Sequence, residues 1–303
     1  MYVLCGLVSA MGLFINADVE VYDFKNSKAK YIISIFSCLY SLIVILSNFA
    51  CFLPIKNNIV NLLLISLGGI FVANNIFKGL FYFASKREWY LNKSIYQMAP
   101  HKLLIISSIG IMAIDLAYLF LVAYPGNLSY DSYDQMLQIS HNRYTNHHPF
   151  WHTMLIRFWY EFGITLFHTP NAGVAAYSIF QVVCVAISFS YIIVTLYQIS
   201  VSKRYLILCY LWFLLMPYHI AFSITMWKDV LFAVAVSGFT TALFRIIRKI
   251  GKYTQLNYFV LLICGIGFCL FRSNGWIAFF IFFIVFFAFF KEYRRNVALL
   301  CIG

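Results

Sequence analysis

Apolar runs long enough to cross a bilayer, about 20 residues each, recur along the chain at 31–53, 59–84, 103–123, 173–199, 205–222, 229–247, 256–271 and 275–290. A shorter run at 1–16 lacks the basic leader and small-residue cleavage site of a signal peptide, so it reads as a ninth span. Another apolar run opens at 296 and the chain stops inside it, at Cys301-Ile302-Gly303, which predicts a C-terminally truncated fragment. Between the runs lies one long polar passage, Tyr124 to Thr153, YPGNLSYDSYDQMLQISHNRYTNHHPFWHT. It holds two of the ten acidic residues and four of the seven histidines.

The segment 150–167, FWHTMLIRFWYEFGITLF, is apolar enough to suggest a further span. Its pattern is that of an interfacial helix instead. Trp151, Leu155, Phe158 and Phe162 recur at helical spacing, while His152, Arg157 and Glu161 fall on other faces. Arg157 and Glu161 stand at i,i+4 as an ion pair. The expectation is an all-α, polytopic membrane helical bundle of about nine to ten transmembrane helices in a single transmembrane domain over 1–303. It divides into N-terminal spans at 1–100 and a core at 101–303, which carries an outer loop at 124–153 and a juxtamembrane helix at 150–167.

Composition supports a membrane protein: 63% of residues are hydrophobic and 11% charged, against about 25% charged in soluble domains. The net charge of +12 would suggest nucleic acid in a soluble protein, but its distribution has a plainer cause. Sixteen of the 22 basic residues fall in alternate loops: Lys25, Lys28, Lys30; Lys86, Arg87, Lys93, Lys102; Lys203, Arg204; Arg245, Arg248, Lys249, Lys252; Lys291, Arg294, Arg295. With the N-terminus outside they obey the positive-inside rule, and no nucleic-acid partner is implied. A crossing at 150–167 would invert every later loop and break that rule. All eight cysteines lie in apolar runs with no CxxC, which excludes a disulfide framework and a zinc finger.

The same topology puts three polar places on one face: 124–153, the turn from Pro217 to Asp229, and the turn Arg272-Ser273-Asn274. Asp131 and Asp134 are three apart, the spacing for one face if the loop turns helical there; either could act as a general base or a hard-cation ligand. A helix opened by Ser129 or Asp131 as N-cap and running through Met136 and Leu137 would account for one acid without chemistry. Asn146, His147, His148, Pro149 and His152 form a second cluster. If a helix starts at Pro149, His148 stands at its cap and His152 in its first turn, where imidazoles bind phosphate. His148 and His152 also share the i,i+4 spacing of a zinc protease, but the glutamate between them that supplies its base is missing. Lys228 and Asp229 stand at the entrance of a span, where they either mark its end or line a site. Arg272 breaks the charge rule on the outer side and suits a phosphate. Asp115 lies about midway through a span, where an ionisable group is costly.

Taken together, YPGNLSYDS, NHHPFWHT, MWKDVLFA and RSNG resemble an uncharacterised bacterial family of multi-pass proteins with the look of GT-C glycosyltransferases, over roughly residues 100–290. The resemblance implies a GT-C-like core in a bacterial cell membrane and an extracytoplasmic active face. It implies a polyprenyl-phosphate-linked sugar as donor and an envelope glycan or protein as acceptor. Asp131 would be the catalytic carboxylate of the acid loop and Asp134 its second. Beyond the resemblance, the residues themselves suggest that Lys228, Asp229, Arg272, Asn274, His147, His148 and His152 bind the donor or its phosphate, and that Asp131 could alternatively hold a divalent cation, Mg²⁺ or Mn²⁺, as the one cofactor. The loop departs from the family by following the fourth predicted span and not the first. Two other classes compete: a lipid or polyprenol transporter or flippase, and a non-catalytic envelope assembly protein.

Overall fold

The structure is a computed structural model that describes residues 34–35, 37–39, 67–79, 98–145, 147–251 and 254–289. Asn146, the expected spans at 1–16 and 296–303, and most of those at 31–53 and 59–84 lie outside the described residues. So do many of the basic loop residues used for topology. The chain divides into two compact units, Met1–Trp89 and Tyr90–Gly303. In the first unit, residues 67–79 are helical.

The second unit is built from helices α1 (Pro100–Leu121), α2 (Tyr130–Ser140), α3 (Phe150–Phe167), α4 (Pro170–Gln198), α5 (Lys203–Leu215), α6 (Pro217–Ser223), α7 (Lys228–Ile247), α8 (Thr254–Leu270) and α9 (Gly275–Phe289). Three of them, α1, α4 and α7, are long and apolar enough to cross a membrane. The chain is a helical membrane protein, with large apolar side chains such as Leu121, Leu208, Trp212, Phe259 and Phe280 left exposed on its helices.

Local chemistry explains the boundaries. Pro100 and Pro170 open α1 and α4, where a missing N–H costs nothing, and Thr169 caps α4 by accepting from the Ala172 amide at 3.3 Å. The run expected as one span at 205–222 is broken into α5 and α6, bent by 51°. Met216, placed before Pro217, is extended (φ −68°, ψ 116°), because a residue that precedes proline is pushed out of the helical region.

Helix α4 is the central element and packs on α1, α3 and α7, with α8 against α7. Its junction with α3 is nearly backbone to backbone: a Cβ on Gly163 would lie 2.3 Å from the Ala172 carbonyl oxygen, and one on Gly173 2.5 Å from the Tyr160 ring. The core beneath the polar loop comprises Ile156, Val174, Tyr177, Met226 and Leu231.

One feature was not expected in an all-α chain. Two short strands, β1 (Asn127–Leu128) and β2 (Thr225–Met226), pair in parallel, Asn127 opposite Thr225 and Leu128 opposite Met226. They tie the polar loop to the segment that leads into α7.

Candidate functional site

Gly126 makes the strand pairing possible. Its φ is +121°, and a Cβ there would meet Ser178 Oγ at 2.2 Å and the Ile224 carbonyl at 3.0 Å, so glycine alone fits both the conformation and the space. Gln181, fully buried on α4, donates from its amide nitrogen to the carbonyls of Ser223 (2.9 Å) and Thr225 (2.7 Å) and holds the other strand. Ser129 then caps α2: its Oγ accepts from the Ser132 amide at 3.2 Å and donates to the Met226 carbonyl at 3.1 Å. Because Ser129 performs the capping, Asp131 is left free in the first turn of α2, facing the start of α7.

There the Lys228 ammonium lies 2.6 Å from Asp131 Oδ2, and the Trp227 indole N–H donates to the same oxygen at 3.4 Å. Lys228 Nζ is also 3.2 Å from His148 Nδ1. The opposite nitrogen, His148 Nε2, is 2.9 Å from Asp134 Oδ2, which accepts from Gln138 as well. The result is a row, Asp131, Lys228, His148, Asp134. The exposed His147 packs edge-on against His148 with ring centroids 4.6 Å apart.

Electrostatics follow from this row. The hydrogen bond and charge of Lys228 outweigh partial burial and hold the Asp131 carboxyl below the ordinary carboxylate range. Burial, aided by the Lys228 charge, lowers the His148 pKa, so this imidazole is neutral. Its Nδ1 therefore accepts from the ammonium and its Nε2 carries the proton, close to Asp134 Oδ2 but without hydrogen-bond geometry to it. Beside the row, Asp229 in the first turn of α7 pairs with Arg272, Oδ1 to Nη1 at 3.4 Å, and the guanidinium stands 5.6 Å above the Phe232 ring.

Of the residues expected at the site, Asp131, Asp134, His147, His148 and Lys228 come together directly, and Asp229 with Arg272 adjoins them through the start of α7. His152 does not. It is fully buried, with Nδ1 at 3.2 Å from Gln135 Oε1 and Nε2 at 2.8 Å from the Tyr177 hydroxyl. Burial pushes its pKa down to about 3. Both nitrogens are occupied, so His152 is a core residue with neither a free N–H for phosphate nor a free lone pair for zinc. Asn274 is exposed and engages the Ala278 amide through its carbonyl at 3.4 Å. Helix α3 spans the expected 150–167, and its cap is Pro149, not His148.

Trp227, Gln135 and Gln138 were missed as site and support residues. The signal for the glutamines was present: Ser132, Gln135 and Gln138 recur every three residues along α2, and all three are buried, a polar stripe that demands polar partners. Among the described residues no three His, Cys, Asp or Glu are grouped to hold a metal ion.

A cavity of about 390 Å³ lies beside the charged row, between α4, α6 and α7. Its walls are mostly apolar, with Val185, Phe189, Phe222 and Val234 among them, and Trp227 and Asp229 belong both to its lining and to the polar cluster. The His219 Nε2 and Asp229 Oδ1 atoms are buried here without a hydrogen-bond partner among the described residues.

A model described as a family of unknown function, DUF6020, matches residues 135–302. No curated protein and no solved structure matches the chain.

Proposed function

The chain belongs to the DUF6020 family, and for it we propose an integral membrane glycosyltransferase that moves a sugar from a polyprenyl-phosphate donor to an extracytoplasmic envelope acceptor. One observation carries this reading: paired acids and cations stand at the edge of an apolar cavity and share Trp227 and Asp229 with it. That juxtaposition suits a ligand with a greasy tail, an anionic phosphate and a polar head.

In the proposed reaction Lys228 and Arg272 hold the donor phosphate, with His147 at its exposed side. Asp131 takes the proton from an acceptor hydroxyl. The acceptor oxygen bonds the anomeric carbon as the bond from that carbon to the phosphate oxygen breaks, with inversion. The electron pair leaves on the polyprenyl phosphate, and the two cations stabilise the departing charge, a contribution that commonly dominates such steps. A divalent cation on Asp131 would have to displace an ammonium 2.6 Å away, a poor fit for a hard cation, so no step runs through a metal.

The test is sugar transfer in proteoliposomes with Asp131→Asn. Loss of a general base is expected to slow transfer by about 10²- to 10⁴-fold, and undiminished transfer would sink the base role.

A lipid transporter is the second reading, favoured by the 51° break between α5 and α6 and by Asp115, which is buried at 2% exposure beside Ser223 of α6. Broken helices and buried acids mark transport sites. Vesicles that translocate the lipid yet leave its sugar attached would favour that reading.

A further inference from the structure

As it stands in the site, Asp131 is a poor base. Its carboxylate is neutralised by an ammonium at 2.6 Å and by an indole N–H on the same oxygen, so a proton arriving from an acceptor would have to displace that charge. Lys228, in turn, is held from its other side by His148, whose side chain is 1% exposed and whose remaining nitrogen lies 2.9 Å from Asp134 Oδ2. The ammonium has three protons, and the two partners use two of them. It also opens α7, a helix of 20 residues whose first amides and dipole favour an anion in front of them.

We infer that Lys228 has two stations, pivoting on His148: with no donor bound it locks Asp131 in an inert ion pair, and an arriving donor phosphate draws the ammonium away and releases the carboxylate as base. The inference rests on the glycosyltransferase reading. It makes His148 and Asp134 positioning residues for Lys228, neither touching the reacting atoms. It also requires the donor to bind before the acceptor can be deprotonated. The charged and titratable groups around the exchange are Asp131 and Asp134 of α2, His147 and His148 of the loop before α3, the buried His152 of α3, Lys228 and Asp229 of α7, and Arg272 of the turn before α9.

The exchange makes Asp131 a competitor of the phosphate for one ammonium, and this can be read without catalysis. The probe is a polyprenyl phosphate carrying no sugar, titrated into the purified full chain in nanodiscs. Asp131→Asn is expected to tighten its binding by about tenfold, and the same change in a Lys228→Met background to have no more than a small effect, a coupling of the size seen for residues in one network. Equal tightening in both backgrounds means simple charge repulsion between carboxylate and phosphate and overturns the two-station exchange while leaving the glycosyltransferase reading intact. Absence of saturable binding in every variant overturns both. His148→Gln, which keeps an acceptor for the ammonium, is expected to retain the coupling and His148→Ala to lose it; retention in folded His148→Ala removes His148 from the pivot.

Discussion

Burying a histidine with both ring nitrogens satisfied turns its charge state into a stability variable. His152 has a folded pKa of about 3, against about 6.5 when free. Between these values the unfolded chain binds a proton that the folded chain does not, so stability falls as pH drops from about 6.5 toward about 3 and is constant for this group above that window. His148, also depressed, adds to the same direction. Thermal unfolding in detergent should therefore show a lower midpoint at pH 5 than at pH 7. His152→Ala should remove part of that dependence and cost about 2–4 kcal/mol, because Gln135 and Tyr177 lose a buried partner. An unchanged pH dependence in the variant would show that other groups carry it. The histidine count and the NHHPxxH spacing were legible, but not which imidazole turns inward. Burial depends on the α3 face that α4 covers, and His152 lies on it.

Helix α3 was the element best specified locally. Its bounds, 150–167, are those observed, and the Arg157–Glu161 pair forms at 2.7 Å, with Arg157 also donating to the Tyr144 hydroxyl. Its faces were less legible, since the aromatic Trp151, Phe158 and Phe162 are exposed while His152, Thr153 and Ile156 are buried. In a membrane protein apolar faces can look outward, so hydropathy does not identify the packed side. Contact with α4 depends instead on small residues. Gly173→Ala would place a methyl 2.5 Å from the Tyr160 ring and 2.7 Å from its carbonyl, and the helices must separate. The expected cost is about 1–3 kcal/mol, read as a lower unfolding midpoint. Since Tyr177 lies one turn beyond Gly173 and bonds His152, the charged cluster should loosen with it. A midpoint within experimental scatter of wild type would mean that the junction yields without loss.

Across the whole molecule, the testable expectation is that the acid-bearing loop and the start of α5 lie on opposite sides of the bilayer. In a background with the native cysteines replaced, Tyr130→Cys, on a residue 87% exposed, should react with a membrane-impermeant maleimide in intact cells, and Lys203→Cys only after permeabilisation. The reverse pattern would overturn the extracytoplasmic assignment. Apolar runs were enough to mark the long helices α1, α4 and α7 and the polar loop between α1 and α3, because hydropathy acts locally along the chain. They could not pair Asp131 with Lys228 or Asp229 with Arg272. The second pairing follows from the packing of α8 on α7, and the first is set by two short parallel strands of two residues each and by Gly126 and Gln181 beside them. The strand hydrogen bonds run through main-chain groups common to every residue, and a two-residue strand is too short to leave an alternating pattern in the side chains. The charged residues of the candidate site were therefore written in the sequence, while its connectivity, the burial of His152 and the uncharged partners Trp227, Gln135 and Gln138 were decided by the tertiary fold.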